Sequence, residues 1–171
     1  KQWKDFVQDI DALIDDKIIS HYTGTIVIYQ PITKPTENYG TKKLEIVDIV
    51  DGQQRLTTCS LYLSIIIKEL IKLGQDDFNA EIPIYLYSGS KSKLRLNNDT
   101  ADFFLDLISK GVSNIEANSV HQKRIYEAYC FLKDHIEEQL KIRADKGEDY
   151  LRDLFDAIIR KLNFSFYPIE V

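Results

Sequence analysis

The sequence predicts an α+β fold: a small mixed sheet around a buried central helix, with a helical lobe attached. Three observations carry this. Two segments, Thr23–Tyr29 and Leu44–Val50, are rich in β-branched and apolar residues, and Pro31, Pro35, Asn38 and Gly40 punctuate the chain between them. From Gln53 to Leu73 apolar residues surround most of a helical circumference, as in a helix with no solvent face. After Asn97-Asn98 the apolar spacing is helical, until a last strand-like run from Phe164 to Val171.

Each element has its own signal. Trp3, Phe6, Val7, Ile10, Leu13 and Ile14 recur at helical spacing and predict an amphipathic helix over residues 2–16. Thr23–Tyr29 is the first strand. Leu44–Val50 is the second, antiparallel to the first and, being apolar on both faces, covered on each side. The central helix ends at Gly74, a natural C′ residue, and a narrow polar stripe of Thr57, Ser60, Ser64, Lys68 and Lys72 runs along it. Ile82–Tyr87 reads as a strand bounded by Pro83 and Gly89, and Leu94–Leu96 as another short one. Phe103, Phe104, Leu107 and Ile108 mark a short helix stopping at Gly111. Ser119 with Gln122 forms a capping box for a longer helix striped by Ile125, Tyr129, Leu132, Ile136 and Leu140. Tyr150, Leu151, Leu154, Phe155, Ile158 and Leu162 stripe the last helix. The organisation is an α/β core over 1–96 and, over 97–171, a helical lobe whose final strand returns to the first sheet. The two form one compact unit.

With 171 residues the chain suffices for one domain with a substantial core, and 44% hydrophobic with 29% charged residues is a globular composition. No apolar run is long enough to span a membrane, and the N-terminus has no signal-peptide pattern. Cys59 and Cys130 lie far apart without a metal-ligand spacing, which fits a reduced, cytoplasmic setting rather than a disulfide framework. The sequence holds no Met, which predicts an internal piece of a longer protein. A net charge of −5 argues against a surface dedicated to coating DNA. The best local nucleic-acid patch is Lys91, Lys93 and Arg95, with Lys42 and Lys43 second.

The chemistry concentrates at Asp51-Gly52-Gln53-Gln54-Arg55, where the second strand meets the central helix. A strand that turns directly into a helix leaves unpaired N–H groups at the positive end of the helix dipole, which favours an anion, most often phosphate. Gly52 lets backbone approach a ligand closely, and Arg55 supplies a donor fork matched to phosphate oxygens. Gln53 and Gln54 can orient a ligand oxygen or a water. A purely structural alternative stands beside this: Asp51 as an N-cap with Gln54 closing a capping box. An ionised Asp51 would repel phosphate unless a cation lay between them, which introduces Mg²⁺.

The run Ile46–Thr58 resembles the signature of the GmrSD restriction-endonuclease N-terminal domain family. The likeness extends to Gln2-Trp3, Asp9-Ile10 and Tyr22–Ile28 before it, and to Lys93–Leu96 and Gln122–Tyr129 after it. It implies a ParB/sulfiredoxin-like core whose strand–turn–helix binds nucleotide phosphates, in a protein defending against foreign DNA. It further implies an NTP as ligand, a nuclease domain or subunit as partner, and modified DNA met through the full-length protein. The family's upstream Tyr-Gln-Arg-x-Tyr-x-Trp motif and downstream Phe-Glu-x-x-Asn segment are missing, apart from what Trp3 retains of the first.

No P-loop, nucleophile elbow or zinc motif is present, and His21, His121 and His135 lack metal-ligand spacing. Asp48 and Asp51, three apart, stand on opposite faces of a regular strand and make a poor metal pair. The reading is a nucleotide-binding, NTP-hydrolysing regulatory domain of a bacterial modification-dependent restriction or phage-defence protein. Asp51, Gln53 and Gln54 are its candidate catalytic residues. Gly52, Arg55, Thr57 and Thr58 hold the nucleotide, and Asp51 holds Mg²⁺. The alternatives are a DNA endonuclease using the same turn, and a non-catalytic DNA-sensing or protein-interaction module. The charge balance generates one expectation: the chain binds duplex DNA weakly and without sequence preference. A gel shift at physiological salt checks this, and sub-micromolar, sequence-specific binding would contradict it.

Overall fold

The structure is a computed structural model and describes residues 2–169. Its centre is helix α2 (Gln53–Lys72), in which every residue from Leu61 to Ile67 is buried. Helices α1 (Gln2–Asp15), α4 (Thr100–Lys110), α5 (Val120–Arg143) and α6 (Gly147–Asp156) surround it, with α3 (Ile82–Tyr85) a single short turn. One core cluster runs from Val7 and Ile10 of α1, through α2, to Leu132, Leu154 and Leu162. The Phe78 and Phe155 rings meet edge to face at 5.1 Å, as do Phe6 and Tyr62 at 5.9 Å.

The helix signals in the sequence correspond to real ends. Gly74 N–H donates to Ile71 O and Gln75 N–H to Leu70 O, so α2 closes in a Schellman motif. Ser119 Oγ accepts from Gln122 N–H at 3.2 Å, while Gln122 Oε1 accepts from the Asn118 amide, one residue before the usual capping-box partner. The last helix runs from Gly147 and ends in a π-helical turn, Ala157–Lys161.

Three strands form the principal sheet, in the order β4 (Asp48–Asp51), β1 (His21–Tyr29), β7 (Leu162–Ile169). β4 is antiparallel to β1, as expected, and β7 returns from the far end of the chain to lie parallel to β1. Glu170 and Val171, which the last-strand expectation included, lie outside the described residues. Two small antiparallel hairpins stand apart from it: β2 (Thr36–Tyr39) with β3 (Lys42–Glu45), and β5 (Tyr87–Ser88) with β6 (Lys91–Ser92).

Four sequence expectations are corrected. Leu44–Val50 is not one strand: β3 pairs with β2, β4 pairs with β1, and the chain changes partner at Ile46-Val47, where Ile46 N–H donates to Pro35 O. Nor is it covered on both sides, since Val50 is 56% exposed and Val47 38%. Ile82–Tyr87 is mostly helical, because Pro83 at the first turn of α3 fits a helix start as well as a strand edge. Leu94–Leu96 is irregular; Leu94 and Leu96 pack on the core without strand pairing.

Two polar features are held inside the helical layer. The Asp11 carboxylate accepts from Tyr150 Oη at 2.8 Å and lies 2.9 Å from His135 Nε2, tying α1 to α5 and α6. Lys68, on the polar stripe of α2, donates to Leu107 O near the end of α4 and lies 5.7 Å from the Tyr129 ring centroid. Burial, with the Lys72 charge second, pushes the Lys68 ammonium down to about 8. An unfolded lysine titrates near ~10.4, so between the two values the unfolded state binds more protons and stability rises with pH. Denaturant unfolding at neutral pH and near ~pH 9.5 should therefore show wild type gaining ~1–2 kcal/mol relative to Lys68→Met. An unchanged difference would contradict this account.

Candidate functional site

The turn from β4 into α2 is made by Gly52, whose φ of 93° is left-handed. Gly52 is the N-cap of α2, and no side chain caps the helix. The alternative of an Asp51 N-cap with a Gln54 capping box is thereby corrected: Asp51 Oδ1 accepts from the Gly52 amide at 2.8 Å, outside the helix. The carboxylate turns back because Gly52, not Asp51, holds the cap position. A Cβ on Gly52 would collide with Ile26 Cδ1 and stand 3.3 Å from Thr25 O, so the turn presses directly on β1.

Arg55, in the first turn of α2, reaches β1. Its Nη1 donates to Thr25 O at 2.9 Å, and its guanidinium lies over Gly24, where a Cβ would meet Arg55 Cζ at 3.0 Å. Gly24, with φ of 123°, sits at a shift in the β1–β7 register. Bulge and bare glycine together make the seat for the guanidinium. Its other N–H groups have no protein acceptor among the described residues. The backbone amides of Arg55 and Leu56 both turn to Gly52 O, and those of Gln53 and Gln54 precede any intrahelical acceptor.

These groups line a groove of about 690 Å³ between α1, the start of β1 and the turn. Trp3, Asp5, Phe6 and Asp9 of α1 form one wall, with His21 and Thr23 of β1 beside them. His21 Nε2 lies 3.7 Å from Asp9 Oδ2. Gln53, Gln54, Arg55 and Thr58 share the groove with Asp51 and Gly52, whereas Thr57 does not line it. Both threonine hydroxyls bond back to carbonyls four residues earlier, Thr57 to Gln53 and Thr58 to Gln54. Gln53 Nε2 donates to Ile49 O.

A second cavity, of about 800 Å³, lies across the α2 start, between the β2–β3 hairpin and residues 91–97, and Gln53 borders both. Lys91, Lys93 and Arg95 line it, but their charge is partly neutralised: Glu37 lies 2.8 Å from Lys91 Nζ and 2.6 Å from Arg95 Nη2. Lys91, then Arg95, hold the Glu37 carboxyl below its ordinary range. Lys93 lies 5.4 Å from the Tyr39 ring centroid. A bulge at Val50 sets Asp48 and Asp51 opposite Tyr29 and Val27, two residues apart on β1, rather than on the opposite faces of a regular strand. They nevertheless line different cavities, and among the described residues no three His, Cys, Asp or Glu side chains are grouped to hold a metal. Cys59 is buried and its thiol pushed up to about 12 by that burial, so it is no nucleophile.

Sequence reasoning missed the α1 wall and His21. Their one signal was that Asp5 and Asp9 lie four apart on one helix face, which does not say what the face meets.

Fold and groove together define an α+β domain whose most polar turn faces an open cleft. The chain belongs to the GmrSD restriction endonuclease N-terminal domain family, whose model matches residues 1–170. It is therefore a domain of a DNA-acting restriction or phage-defence protein. No curated protein matches it. Among the described residues no helix is long and apolar enough to cross a membrane.

Gly52→Ala should cost ~1–3 kcal/mol, because it adds left-handed strain to a clash with Ile26. Gly89→Ala, also at positive φ but with open space around it, should cost less. Chemical denaturation of the two variants tests this ordering.

Proposed function

We propose that the groove binds a nucleoside triphosphate, and that the domain is a nucleotide-binding, NTP-hydrolysing regulator of a modification-dependent restriction protein. The observation that carries this reading is the seating of Arg55. A guanidinium fixed by one backbone carbonyl, its remaining donors beside the free amides of Gln53 and Gln54, suits phosphate oxygens. The strand–turn–helix is also the arrangement that the resemblance to ParB/sulfiredoxin-like cores implies.

Gly52 cannot bind the phosphate through its amide, which Asp51 occupies; its part is to remove a side chain from the turn. Asp51 keeps Oδ2 free for Mg²⁺. One carboxylate completed by ligand phosphates and water is an ordinary Mg²⁺ arrangement, so the absence of a three-residue cluster is no obstacle. The ion would offset repulsion between Asp51 and phosphate and polarise a phosphoryl oxygen. Gln54, exposed in the groove, is placed to orient the ligand or a water, whereas Gln53 is partly committed to Ile49 O. Thr58 can offer its hydroxyl oxygen as an acceptor, and Thr57 has no direct part.

The endonuclease alternative is weakened by the separation of Asp48 from Asp51 into two cavities. For the DNA-sensing alternative, Glu37 takes up much of the charge of Lys91 and Arg95.

Arg55→Ala should lower nucleotide affinity about ten- to a hundredfold, the worth of one charge-assisted contact, and leave the fold largely intact. Calorimetry with ATP, GTP and CTP, with and without Mg²⁺, measures the first effect and thermal melts the second. A large fall in melting temperature with unchanged affinity would make Arg55 a structural residue and remove this reading.

A further inference from the structure

Beside Arg55, on β1 and β7, stands a group of hydroxyls that the groove does not use. Past the bulge at Thr23 and Gly24, Thr25 is opposite Ser165 of β7. The Tyr22 hydroxyl lies 3.0 Å from Thr25 Oγ1. Hydrogen bonds from Thr25 and then Ser165, with the Arg55 charge, hold the Tyr22 phenol below its ordinary range. All three hydroxyls and the guanidinium therefore share one neighbourhood. Thr25 links the two parts directly, since its carbonyl takes Arg55 Nη1 and its hydroxyl meets Tyr22.

The position is open. β4 pairs with β1 only from Val27 to Tyr29, so beyond Val27 no strand covers that edge of β1, and Arg55 fills the gap. The guanidinium is thus reachable from the groove on one side and from the hydroxyls on the other. Tyr22 is 60% exposed and Ser165 is exposed. Hydroxyls that can turn a proton outward, beside a guanidinium, suit anionic oxygens rather than a cationic or apolar ligand.

We infer that Tyr22, Thr25 and Ser165 extend the phosphate site past Arg55 and take the next phosphate along the ligand's condensed phosphate chain. This rests on the nucleotide reading of the groove. The phosphate at Arg55 is held by the guanidinium and the α2 amides, and the next along the chain by the hydroxyls. Ser165 belongs to this site only because β7 lies parallel to β1 in the register that sets it opposite Thr25.

The test is calorimetry with inorganic phosphate, pyrophosphate and tripolyphosphate in the presence of Mg²⁺. It uses the full chain as wild type, Tyr22→Phe, Ser165→Ala and Arg55→Ala, with thermal melts on each. Wild type should bind tripolyphosphate more tightly than phosphate. Tyr22→Phe and Ser165→Ala should each weaken tripolyphosphate about three- to tenfold, leaving phosphate affinity and melting temperature unchanged, while Arg55→Ala weakens all three anions. If Arg55→Ala weakens every anion but the hydroxyl variants bind all three like wild type, the extension is wrong and the groove reading survives. If no anion binds wild type, the groove reading fails and the extension with it.

Discussion

Seven successive buried residues, Leu61 to Ile67, oblige α2 to be surrounded on every side, and most of the molecule is the consequence. Ser64 satisfies its hydroxyl within the helix, on Leu61 O, and Lys68 reaches Leu107 O, so the middle of the polar stripe finds its partners inside the protein. A helix so enclosed cannot shift without disturbing four neighbours packed at near-crystalline density. Its first turn inherits that rigidity and so holds Arg55 at a fixed place against β1. At the groove, beside that first turn, the packing stops.

The longer helices were legible in the sequence because each carries a stripe, a cap or a terminating glycine that acts locally. The errors fall where local signals are ambiguous. Ile82–Tyr87 is short, apolar and opens with proline, a pattern that strand edges and helix starts share. Leu44–Val50 has the composition of one strand, but pairing is decided by partners distant in sequence, and two different partners divide it between them. Ile46, Val47 and Val50 stay exposed, which no periodicity within seven residues reveals.

Of the site, the sequence exposed the turn and its arginine but not their seat. Gly24 stands within a β-branched run, and a lone glycine in a strand is itself a signal of a bulge or a close approach. Which side chain approaches was unreadable, because Arg55 lies thirty-one residues away and arrives through tertiary packing. The same applies to Asp9 with His21, and to Thr25 with Ser165. Motifs record residues held together along the chain; these pairs are held together across it.

The parallel pairing of β1 with β7 also sets an order in time. Residues 21–29 emerge from the ribosome long before residues 162–169, and until then the central strand has an open edge where β7 will lie. During synthesis the strand bearing Gly24 and Thr25 must wait for about five-sixths of the described chain, a long-range closure that slows folding. A product broken off before β7 keeps Arg55 and its motif but lacks one flank of the strand that seats it. The full seat of Arg55 is thus available only to chains made through β7.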